Sequence, residues 1–583
     1  MPRKGTDFLK RLIFFASKYS ERTNLNFGKK MTPLLKYFGV FVVSTGSVLY
    51  LCEKPRPLLA SEEHKRKKIV VLGSGWAAVN FLRNLKPDLY DIEIVSPRNY
   101  FLMTPLLPSV TVGTLEARSL VEPIRKIYSK WHKTGVQFHE AKCMDVDIEK
   151  QQIKCRDISG ITSSNPEFTL NYDLLVVAVG ARNNTFNTPG VEQHCHFLKS
   201  IKDVRQIRNS IVDCFETAAM KGQSESDIKR LLHFVVVGGG PTGVEFAAEL
   251  RDFVKEDLNR QYPGLAEHAR ITLVHSRDHI LNNYDEQISE YTEKHFKTDY
   301  IDCVTDSRVT EVNEQSLVIM NKKTKEKRVA TYGACVWATG IAPSPLTKEI
   351  AKKLPGQTNR NGLITDEYLR VKNSNGTIYA VGDCSVVEQE KIVENVEEWF
   401  QKADRDADGT LTMEEFTGIM EEAKRKYPQV SSYFSTAWQK SLKKAFNEVD
   451  KDGNKRLSMS EFREILKKVD SKLRSYPATA QVASQQGHYL GDLFTNLHSQ
   501  EQNQDFKTLG LGPFKYRHLG SFAYVGDDKA VLKVPMFGSL SGWWVMWLWR
   551  ASYLNECVGW RTRFLVAFDW IKTKVSGRDT SRI

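Results

Sequence analysis

The chain has few cysteines for its length, and no two of them have the spacing of a redox or zinc motif. Nine cysteines are scattered through 583 residues, and neither CxxC nor CxxxxC occurs. A dithiol–disulfide active site and a thiolate zinc site both need closely spaced cysteines, so the spacing excludes both kinds of site. We interpret the cysteines as ordinary buried thiols in a reducing compartment.

A long uncharged apolar run is also missing. The best candidate, YFGVFVVSTGSVLYLC at residues 37–52, has sixteen residues, fewer than the about 20 that cross a bilayer core. Residues 1–31 are basic, contain only Asp7 and Glu21 as acids, and place apolar residues at helical spacing, as mitochondrial presequences do. Residues 1–65 therefore predict a targeting segment that stops in the inner membrane and leaves the body in the intermembrane space. A secretory signal with a long basic leader is the alternative.

The net charge of +13 is concentrated at the two ends of the chain. Apolar and aromatic residues accompany these bases, so we expect contact with a membrane surface and none with nucleic acid. The tryptophans of the last fifty residues are Trp543, Trp544, Trp547, Trp549, Trp560 and Trp570. This region predicts helices that lie in the membrane interface, with a homodimer contact as the alternative. The C-terminal residues Ser581, Arg582 and Ile583 weakly resemble a peroxisomal signal, which gives a second expected location.

Two glycine-rich loops follow apolar runs that are typical of buried strands. Their key positions are Gly73, Gly75 and Ala78 in the first loop and Gly238, Gly240 and Gly243 in the second. The first position permits a tight turn, the second lets the backbone approach a pyrophosphate, and the third lets a helix pack closely on the strand. One such pattern is weak, but two of them about 165 residues apart predict two dinucleotide-binding units.

The order of the remaining strand-like segments indicates how these units are connected. Residues 172–181 and 334–345 predict strands followed by turns at Gly180 and Gly340, and residues 376–384 predict a strand followed by Gly382 and Asp383. We therefore predict an α/β fold in which an NAD(P)H-binding unit is inserted into an FAD-binding unit. The predicted bounds are 1–65 for targeting, 66–230 and 341–397 for FAD, 231–340 for NAD(P)H, 398–475 for a helical insertion and 476–583 for a helical C-terminal region.

The insertion contains two calcium-loop sequences. The first loop supplies oxygen ligands at every expected position, with Gly409 at the sharp turn; its ligands are Asp404, Asp406, Asp408, Thr410, Thr412 and Glu415. The second loop supplies Asp450, Asp452, Asn454, Ser458 and Glu461. Lys455 replaces the turn glycine there, which forces a bulky residue towards positive φ at a cost of about 1 kcal/mol. We predict a strong first EF-hand and a weaker second one; an acidic surface turn is the alternative for the first loop.

Residues 96–125, together with GGGPTGVEFAAEL and AQVASQQG, resemble the type II, rotenone-insensitive NAD(P)H:ubiquinone dehydrogenases. With EF-hands inserted, the chain is similar to the external, calcium-dependent plant-type members over residues 68–583. In the segment TPLLPS, Thr104 and Pro105 stand where disulfide reductases carry their cysteine pair. The resemblance implies that these two residues contact FAD and that Asp383 accepts hydrogen bonds from its ribityl chain. The usual ribose-binding carboxylate is missing after the second strand, so Ser96 and Arg98 are expected to serve there.

The resemblance implies an enzyme that passes electrons from NADH or NADPH through FAD to ubiquinone at the outer face of the mitochondrial inner membrane. Without a polytopic span we expect no proton pumping. Glu245 is expected in the first turn of the helix after the second glycine loop. It is assigned either to proton coupling and nicotinamide contact or, alternatively, to the positive end of that helix. Gln481 and Gln485, four residues apart on one helix, would line a slot for the quinone; an ordinary packing helix is the alternative.

The end of the second strand of the NAD(P)H unit sets the expected nucleotide preference. His275 stands where NADH-specific relatives have glutamate, and Arg277 follows two residues later. With no carboxylate at position 275 to repel a 2′-phosphate and a guanidinium nearby, we expect use of both nucleotides with a lean to NADPH. Asp278 is the opposing residue, because a small shift of register would bring its carboxylate to the ribose.

Two other functions account for less of the sequence than a quinone reductase does. A calcium-responsive flavoprotein scaffold would have no use for the Gln481–Gln485 slot, and a soluble reductase of a ferredoxin-like carrier would leave the aromatic C-terminal region unexplained. We further expect calcium either to reorient the segment between flavin and quinone or to uncover the nucleotide entrance, because the hands lie between Asp383 and Gln481.

Overall fold

The computed structural model describes residues 66–581 except for residues 130–135, 162–164, 283, 435–437, 472, 474, 499–511 and 535–537. The predicted targeting segment, residues 1–65, and the last two residues of the C-terminal tripeptide lie outside this description. Among the described helices, none combines the length and the apolar character needed to span a bilayer.

A central mixed sheet carries the first glycine loop. Its described strands, in spatial order, are Ile378–Ala380, Leu174–Val177, Lys68–Leu72, Asp91–Ser96, Gln137–Asp147, Gln152–Asp157 and Glu167–Asn171. The strand Lys68–Leu72 pairs in parallel with a neighbour on each side, and its four apolar residues are buried. A continuous apolar run is what a strand covered on both faces requires. The strand Ile378–Ala380 at the edge of this sheet is the predicted return of the chain to the first unit.

A second, parallel sheet carries the second glycine loop. Its described strands are His196–Phe197, Ala334–Trp337, His233–Val237, Arg270–Val274 and Ile301–Val304. An antiparallel sheet of Ser307–Val312, Ser316–Asn321 and Lys327–Thr331 lies between its strands Ile301–Val304 and Ala334–Trp337 in the chain. The strand His196–Phe197 and the helix Ile201–Ala218 precede residue 230, so the second unit draws on residues before the predicted boundary. A capping box at Ser200 and Asp203 starts that helix.

The two units are joined by a pair of crossing strands. Ala181–Asn183 leaves the first sheet and Ile341–Pro343 leaves the second, and the two pair antiparallel. Gly180 and Gly340 precede these strands, both with positive φ. The remaining described α-helices before the insertion are Trp76–Asn84, Leu107–Thr111, Ile124–Ile127, Val191–His194, Glu225–Leu231, Pro241–Phe253, Asn259–Gln261, Glu286–Thr298 and Pro345–Lys353.

The insertion folds as two helix–loop–helix hands around their own apolar core. Its described helices are Val396–Ala403, Met413–Lys426, Pro428–Tyr433, Trp438–Val449 and Met459–Asp470. The two loops pair through the short strands Thr410–Leu411 and Leu457–Ser458. Lys455 has φ of +59°, which confirms the predicted strain at the turn of the second loop.

The C-terminal region contains a long helix, a small sheet and two aromatic helices. The helix Ala480–His498, here called the amide helix, packs on Trp76–Asn84 of the first unit. The strands Ser521–Gly526, Lys529–Val534 and Gly538–Gly542 form an antiparallel sheet, and the helices Trp543–Glu556 and Trp560–Ser576 follow. The predicted helices of this region are present, and a small antiparallel sheet accompanies them. Every described cysteine is a free thiol, and all but Cys303 are buried, which confirms the interpretation as buried thiols.

Candidate functional site

The first glycine loop has the geometry expected of a dinucleotide cradle. Gly73 has φ of +118°, and a Cβ there would lie 2.3 Å from the Ala178 carbonyl oxygen, so no other residue fits. Space is open around Gly75, which caps the helix Trp76–Asn84, and Ala78 is buried against the sheet. The loop therefore leaves room for a ligand at the positive end of a helix.

The predicted ribose-contacting residues differ in exposure. Ser96 is buried at the end of its strand; its hydroxyl donates to Ser74 Oγ at 2.9 Å and accepts from the Arg98 N–H at 3.1 Å. The Arg98 side chain is exposed. Ser96 thus shapes the turn, and Arg98 is the member of the pair that is free to meet a ligand.

Thr104 and Pro105 open a short 3₁₀ turn next to the first glycine loop. The Trp76 indole donates to Thr104 Oγ1 at 3.0 Å, and the Trp76 ring packs edge-on against Phe101 at 5.0 Å. This contact ties the segment that replaces the reductase cysteine pair to the helix of the cradle.

Asp383 is the acid at the returning strand. No described residue donates a hydrogen bond to its carboxylate, and burial raises its pKa while the nearby Lys199 ammonium opposes the rise. A half-buried carboxylate without a donor among the described residues suits a ligand that brings hydroxyl groups. Lys199 was missed by the sequence reasoning, because it lies far from Asp383 in sequence.

The amide helix meets the cradle at a glycine and a glutamine. A Cβ on Gly487 would lie 2.3 Å from the Ala77 carbonyl oxygen, so only glycine lets the two helices approach this closely. Gln486 is buried, and its Oε1 accepts the Gly382 N–H at 2.6 Å. Gln486 was not predicted as a site residue. Its helical spacing from the buried Ala483 and Leu490 puts a polar side chain on an apolar face, and this pattern was the available signal.

Gln481 and Gln485 use their amides to hold the segment after residue 512. Gln481 Oε1 accepts from the Tyr516 hydroxyl at 2.6 Å, and the Gln485 amide exchanges two hydrogen bonds with the Arg517 backbone at 2.8 and 2.9 Å. They position this wall of the site, and their contact with a quinone stays a prediction.

Glu245 lies in the second turn of the helix Pro241–Phe253, here called the acidic helix, and not in the first turn as predicted. Its Oε1 accepts the Tyr524 N–H at 3.1 Å, and the Trp549 indole lies beside it. Burial raises the pKa of Glu245 to about 8. The carboxyl is therefore mostly protonated near neutral pH, and a charged complement to the helix end is the weaker interpretation.

More acids follow on the same face of the acidic helix. Glu249 accepts from the Ser109 and Thr114 hydroxyls at 2.6 and 2.7 Å, and the Tyr524 hydroxyl donates to Asp252. Burial raises the pKa of Asp252 to about 7. The Tyr524 contact fastens the C-terminal sheet to the acidic helix, and the Glu249 contacts fasten the segment of Ser109 and Thr114 to it. The contacts were missed, because the segments are far apart in sequence.

The nucleotide-selecting end of the second unit lacks a carboxylate acceptor at position 275. The His275 Nδ1 accepts the Gly239 N–H at 3.1 Å, and burial lowers the pKa of its imidazole. Arg277 is exposed and donates to the Asn282 side-chain oxygen at 2.9 and 3.1 Å. A neutral ring and an exposed guanidinium leave no negative charge at either position to repel a 2′-phosphate.

Both calcium loops gather their acids. Asp404, Asp406 and Asp408 bring carboxylate oxygens within 4.8 Å of one another, as do Asp450, Asp452 and Glu461. Thr412 with Glu415 and Ser458 with Glu461 form capping boxes that start the exit helices. Arg456 of the second loop contacts Asp408 and donates to Thr410 Oγ1 at 3.1 Å, so the two loops are coupled by charge. The donor set of hard oxygens fits calcium.

Comparison with known proteins agrees with this arrangement. Residues 67–405 match the family profile described as pyridine nucleotide-disulphide oxidoreductase, 518–579 match the NDH2 C-terminal domain, and 396–420 and 441–472 match EF-hand profiles. The chain is 44% identical over 556 residues to external alternative NAD(P)H-ubiquinone oxidoreductase B1, mitochondrial, of Solanum tuberosum, covering 93% of this chain and 96% of the relative. It is 45% identical over 533 residues to protein B2 of that name from Arabidopsis thaliana, with 89% and 90% covered. The structure of NDH2 from Plasmodium falciparum in complex with NADH matches with a TM-score of 0.75 and 31% identity, over 89% of this chain and 100% of that one.

Proposed function

The chain belongs to the external alternative NAD(P)H-ubiquinone oxidoreductases, and from this membership we infer that it oxidises NADH and NADPH through bound FAD, reduces ubiquinone and responds to calcium. Like the relatives that carry the word in their names, it is mitochondrial. The single observation that carries the site is the contact between Gln486 and the Gly382 N–H at 2.6 Å. It seats the amide helix beside the turn that presents Asp383.

FAD, when bound, supplies the chemistry, accepting a hydride from the nicotinamide and passing two electrons to the quinone. We assign Gly73, Gly75 and the end of the helix Trp76–Asn84 to its pyrophosphate. Arg98 and Asp383 are assigned to its sugar and ribityl hydroxyls. We assign Thr104 and Pro105 to the wall that stands where disulfide reductases carry their cysteine pair.

The residues of the second unit bind and orient the nucleotide. Gly238, Gly240 and Gly243 form its loop, and Gly340 lies at the crossing beside Phe186. The proposed lean to NADPH rests on the neutral His275 and the exposed Arg277. Glu245, protonated near neutral pH and enclosed by Tyr524 and Trp549, is the proposed proton-holding group of the site.

The proposed membrane contact rests on an exposed apolar stripe on the helix Trp560–Ser576. The stripe consists of Trp560, Phe564, Phe568, Ile571 and Val575, which are 40% to 79% exposed. Their spacing of three and four residues places them on one face. Arg550, Lys572 and Lys574 instead pair with acids of the body, and Trp549 and Trp570 are buried, so these bases and rings hold the helices in place.

The stripe gives the membrane proposal a direct test. Phe568→Glu should reduce flotation with vesicles that contain anionic lipid, because it places a charge in the acyl boundary. Val329→Glu, at an equally exposed apolar position elsewhere, is the matched control. Equal flotation of both variants would contradict docking through the stripe, and dimers that dissociate only in Phe568→Glu would assign it to a homodimer instead.

The proposed location is the intermembrane-space side of the inner membrane, where the stripe would meet the bilayer that holds ubiquinone. The chain just before the C-terminal tripeptide is held in the body of the protein. Arg578, three residues before Ser581, has a buried side chain that pairs with Glu256 and Asp257 at 2.8 Å. A peroxisomal location is a second proposal, and imaging of the full chain with and without its last three residues distinguishes the two.

The activity is tested with purified protein, NADPH and a short-chain ubiquinone, with and without a calcium chelator. We expect turnover that falls when the chelator is added. Glu415→Gln, which removes a carboxylate ligand of the first hand, should weaken the response, whereas Glu414→Gln, at the neighbouring exposed acid, should not. Protein that retains FAD but shows no turnover under either condition would refute the proposed function.

A further inference from the structure

The EF-hand lobe is attached to the flavin unit by a short segment, residues 388–395, which we call the neck. The strand Ser385–Val387 enters the neck, and the first helix of the first hand, Val396–Ala403, leaves it. On the flavin side the Glu388 N–H donates to the Thr365 carbonyl at 2.9 Å, and Glu388 pairs with Lys372. The neck is thus fixed to the sheet that follows Asp383.

The far end of the hands returns to the same neck. Asp470 is the last residue of the exit helix of the second hand, Met459–Asp470. Its Oδ1 accepts the Ile392 N–H at 3.2 Å and its Oδ2 accepts the Val393 N–H at 3.0 Å. One carboxylate therefore caps the 3₁₀ turn Ile392–Asn395 from a residue 77 positions further along the chain.

A buried glutamine completes this contact. The Gln429 Nε2 donates to Asp470 Oδ1 at 3.2 Å and to the Glu390 carbonyl at 3.1 Å, and Gln429 is buried. Ile392 is also fully buried, in the apolar core of the hands. The neck is held by both hands, and Asp470 is the residue that joins the second exit helix to it.

We propose that Asp470 is a positioning residue that transmits the calcium state of the second hand to the flavin–quinone site. Glu461, the last ligand of the second loop, lies in the first turn of the helix that ends at Asp470. Sensor hands reorient their exit helices when calcium binds. Any tilt of this helix is applied to the backbone of Ile392 and Val393, and through Ser385–Val387 to Gly382 and Asp383.

A second connection from Asp470 to Gly382 runs through the amide helix. The chain leaves Asp470 and enters the amide helix at Ala480, and Gln486 of that helix holds the Gly382 N–H. A movement of the exit helix therefore reaches Gly382 from both sides. This inference rests on the proposed calcium-responsive activity and adds a named residue to it.

Two measurements test the role of Asp470. In the wild-type holoenzyme, hydrogen exchange of a peptide that covers residues 388–395 should change on addition of calcium. Asp470→Asn should bind calcium like the wild type by calorimetry and retain FAD, but its ratio of turnover with calcium to turnover with chelator should fall close to one. Glu448→Gln, an exposed acid of the preceding helix that pairs with Lys444, is the matched control and should keep the wild-type ratio.

The outcomes separate this inference from the activity itself. Wild-type turnover without any calcium response would refute the proposed regulation. A wild-type response that Asp470→Asn preserves, or a neck whose exchange is unchanged while calcium binds, would overturn the role of Asp470. If Asp470→Asn loses calcium binding, Gln429→Met is used instead, because it removes the hydrogen bond to Asp470 from the other partner. The hydrogen-exchange measurement on residues 388–395 of the wild type tests the role of the neck without any variant.

Discussion

The close approach of the amide helix to the helix Trp76–Asn84 can be tested by a substitution that adds a single carbon atom. Gly487→Ala adds a Cβ that would lie 2.3 Å from the Ala77 carbonyl oxygen and 2.9 Å from the Phe81 nitrogen. An ordinary carbon–oxygen contact needs about 3.5 Å, so the helices must separate by about 1 Å. Gln486, the preceding residue, would move with them, and its 2.6 Å contact with the Gly382 N–H would be lost.

The magnitude follows from two opposing terms. Alanine is favoured over glycine inside a helix by about 1 kcal/mol, and overpacking a close contact costs about 1–3 kcal/mol. Losing the Gly382 hydrogen bond removes about 1 kcal/mol more. We therefore expect a net loss of about 1–3 kcal/mol for Gly487→Ala. Gly418→Ala, at an exposed helical glycine whose nearest neighbour would be 3.8 Å away, should gain up to about 1 kcal/mol.

Three measurements on these two variants check this reasoning. Gly487→Ala should unfold at lower temperature, keep less flavin per chain after gel filtration and show a raised KM for a short-chain quinone. Gly418→Ala should match or exceed the wild type in stability and leave flavin content unchanged. A Gly487→Ala protein with wild-type flavin content and quinone KM would show that the close approach does not position the site.

Two further predictions concern single side chains. Glu245 has an ordinary pKa of 4.5 and a folded pKa of about 8. Between these two pH values the unfolded chain releases a proton that the native state keeps, so the free energy of unfolding falls as pH rises from about 4.5 to 8. The loss should approach about 5 kcal/mol, and urea unfolding of Glu245→Gln should show a flatter pH dependence; a wild-type slope would contradict the assignment. His275→Glu places a carboxylate beside the proposed 2′-phosphate position, and we expect kcat/KM for NADPH relative to NADH to fall about tenfold. An unchanged ratio would argue that another residue selects the nucleotide.

Features that depend on local sequence were predictable. The strand Lys68–Leu72, the turn at Gly73 and the positive φ of Lys455 follow from apolar runs, steric limits on φ and ligand spacing within a few residues. Contacts between distant segments were not predictable in this way. Gln486 with Gly382, Tyr524 with Glu245 and Lys199 beside Asp383 join residues separated by more than 100 positions, and no local pattern specifies such pairs.

The interpretation of the C-terminal region shows where composition alone is ambiguous. Tryptophans and bases in helical alternation predicted an interfacial surface, yet Trp549 and Trp570 are buried and Arg550 pairs with Asp528. An aromatic ring stabilises a core as well as it enters a membrane, so only tertiary packing distinguishes the two uses. The stripe from Trp560 to Val575 is the apolar surface that stays exposed after the helices pack, so it is available to a partner.

The route from the hands to Gly382 predicts which half-reaction calcium controls. The neck is joined to Gly382 through Ser385–Val387, and the amide helix reaches Gly382 through Gln486. The nucleotide loop Gly238–Gly240 instead lies against Ala338, His275 and Ile280 of its own unit. We therefore expect calcium to change the rate of electron transfer to quinone several-fold and to leave the rate of reduction by NADPH unchanged. Rapid mixing separates the two rates, because NADPH is added without quinone in one experiment and quinone is added to reduced protein in the other. A calcium effect confined to the reduction by NADPH would place the control at the nucleotide entrance and exclude this route.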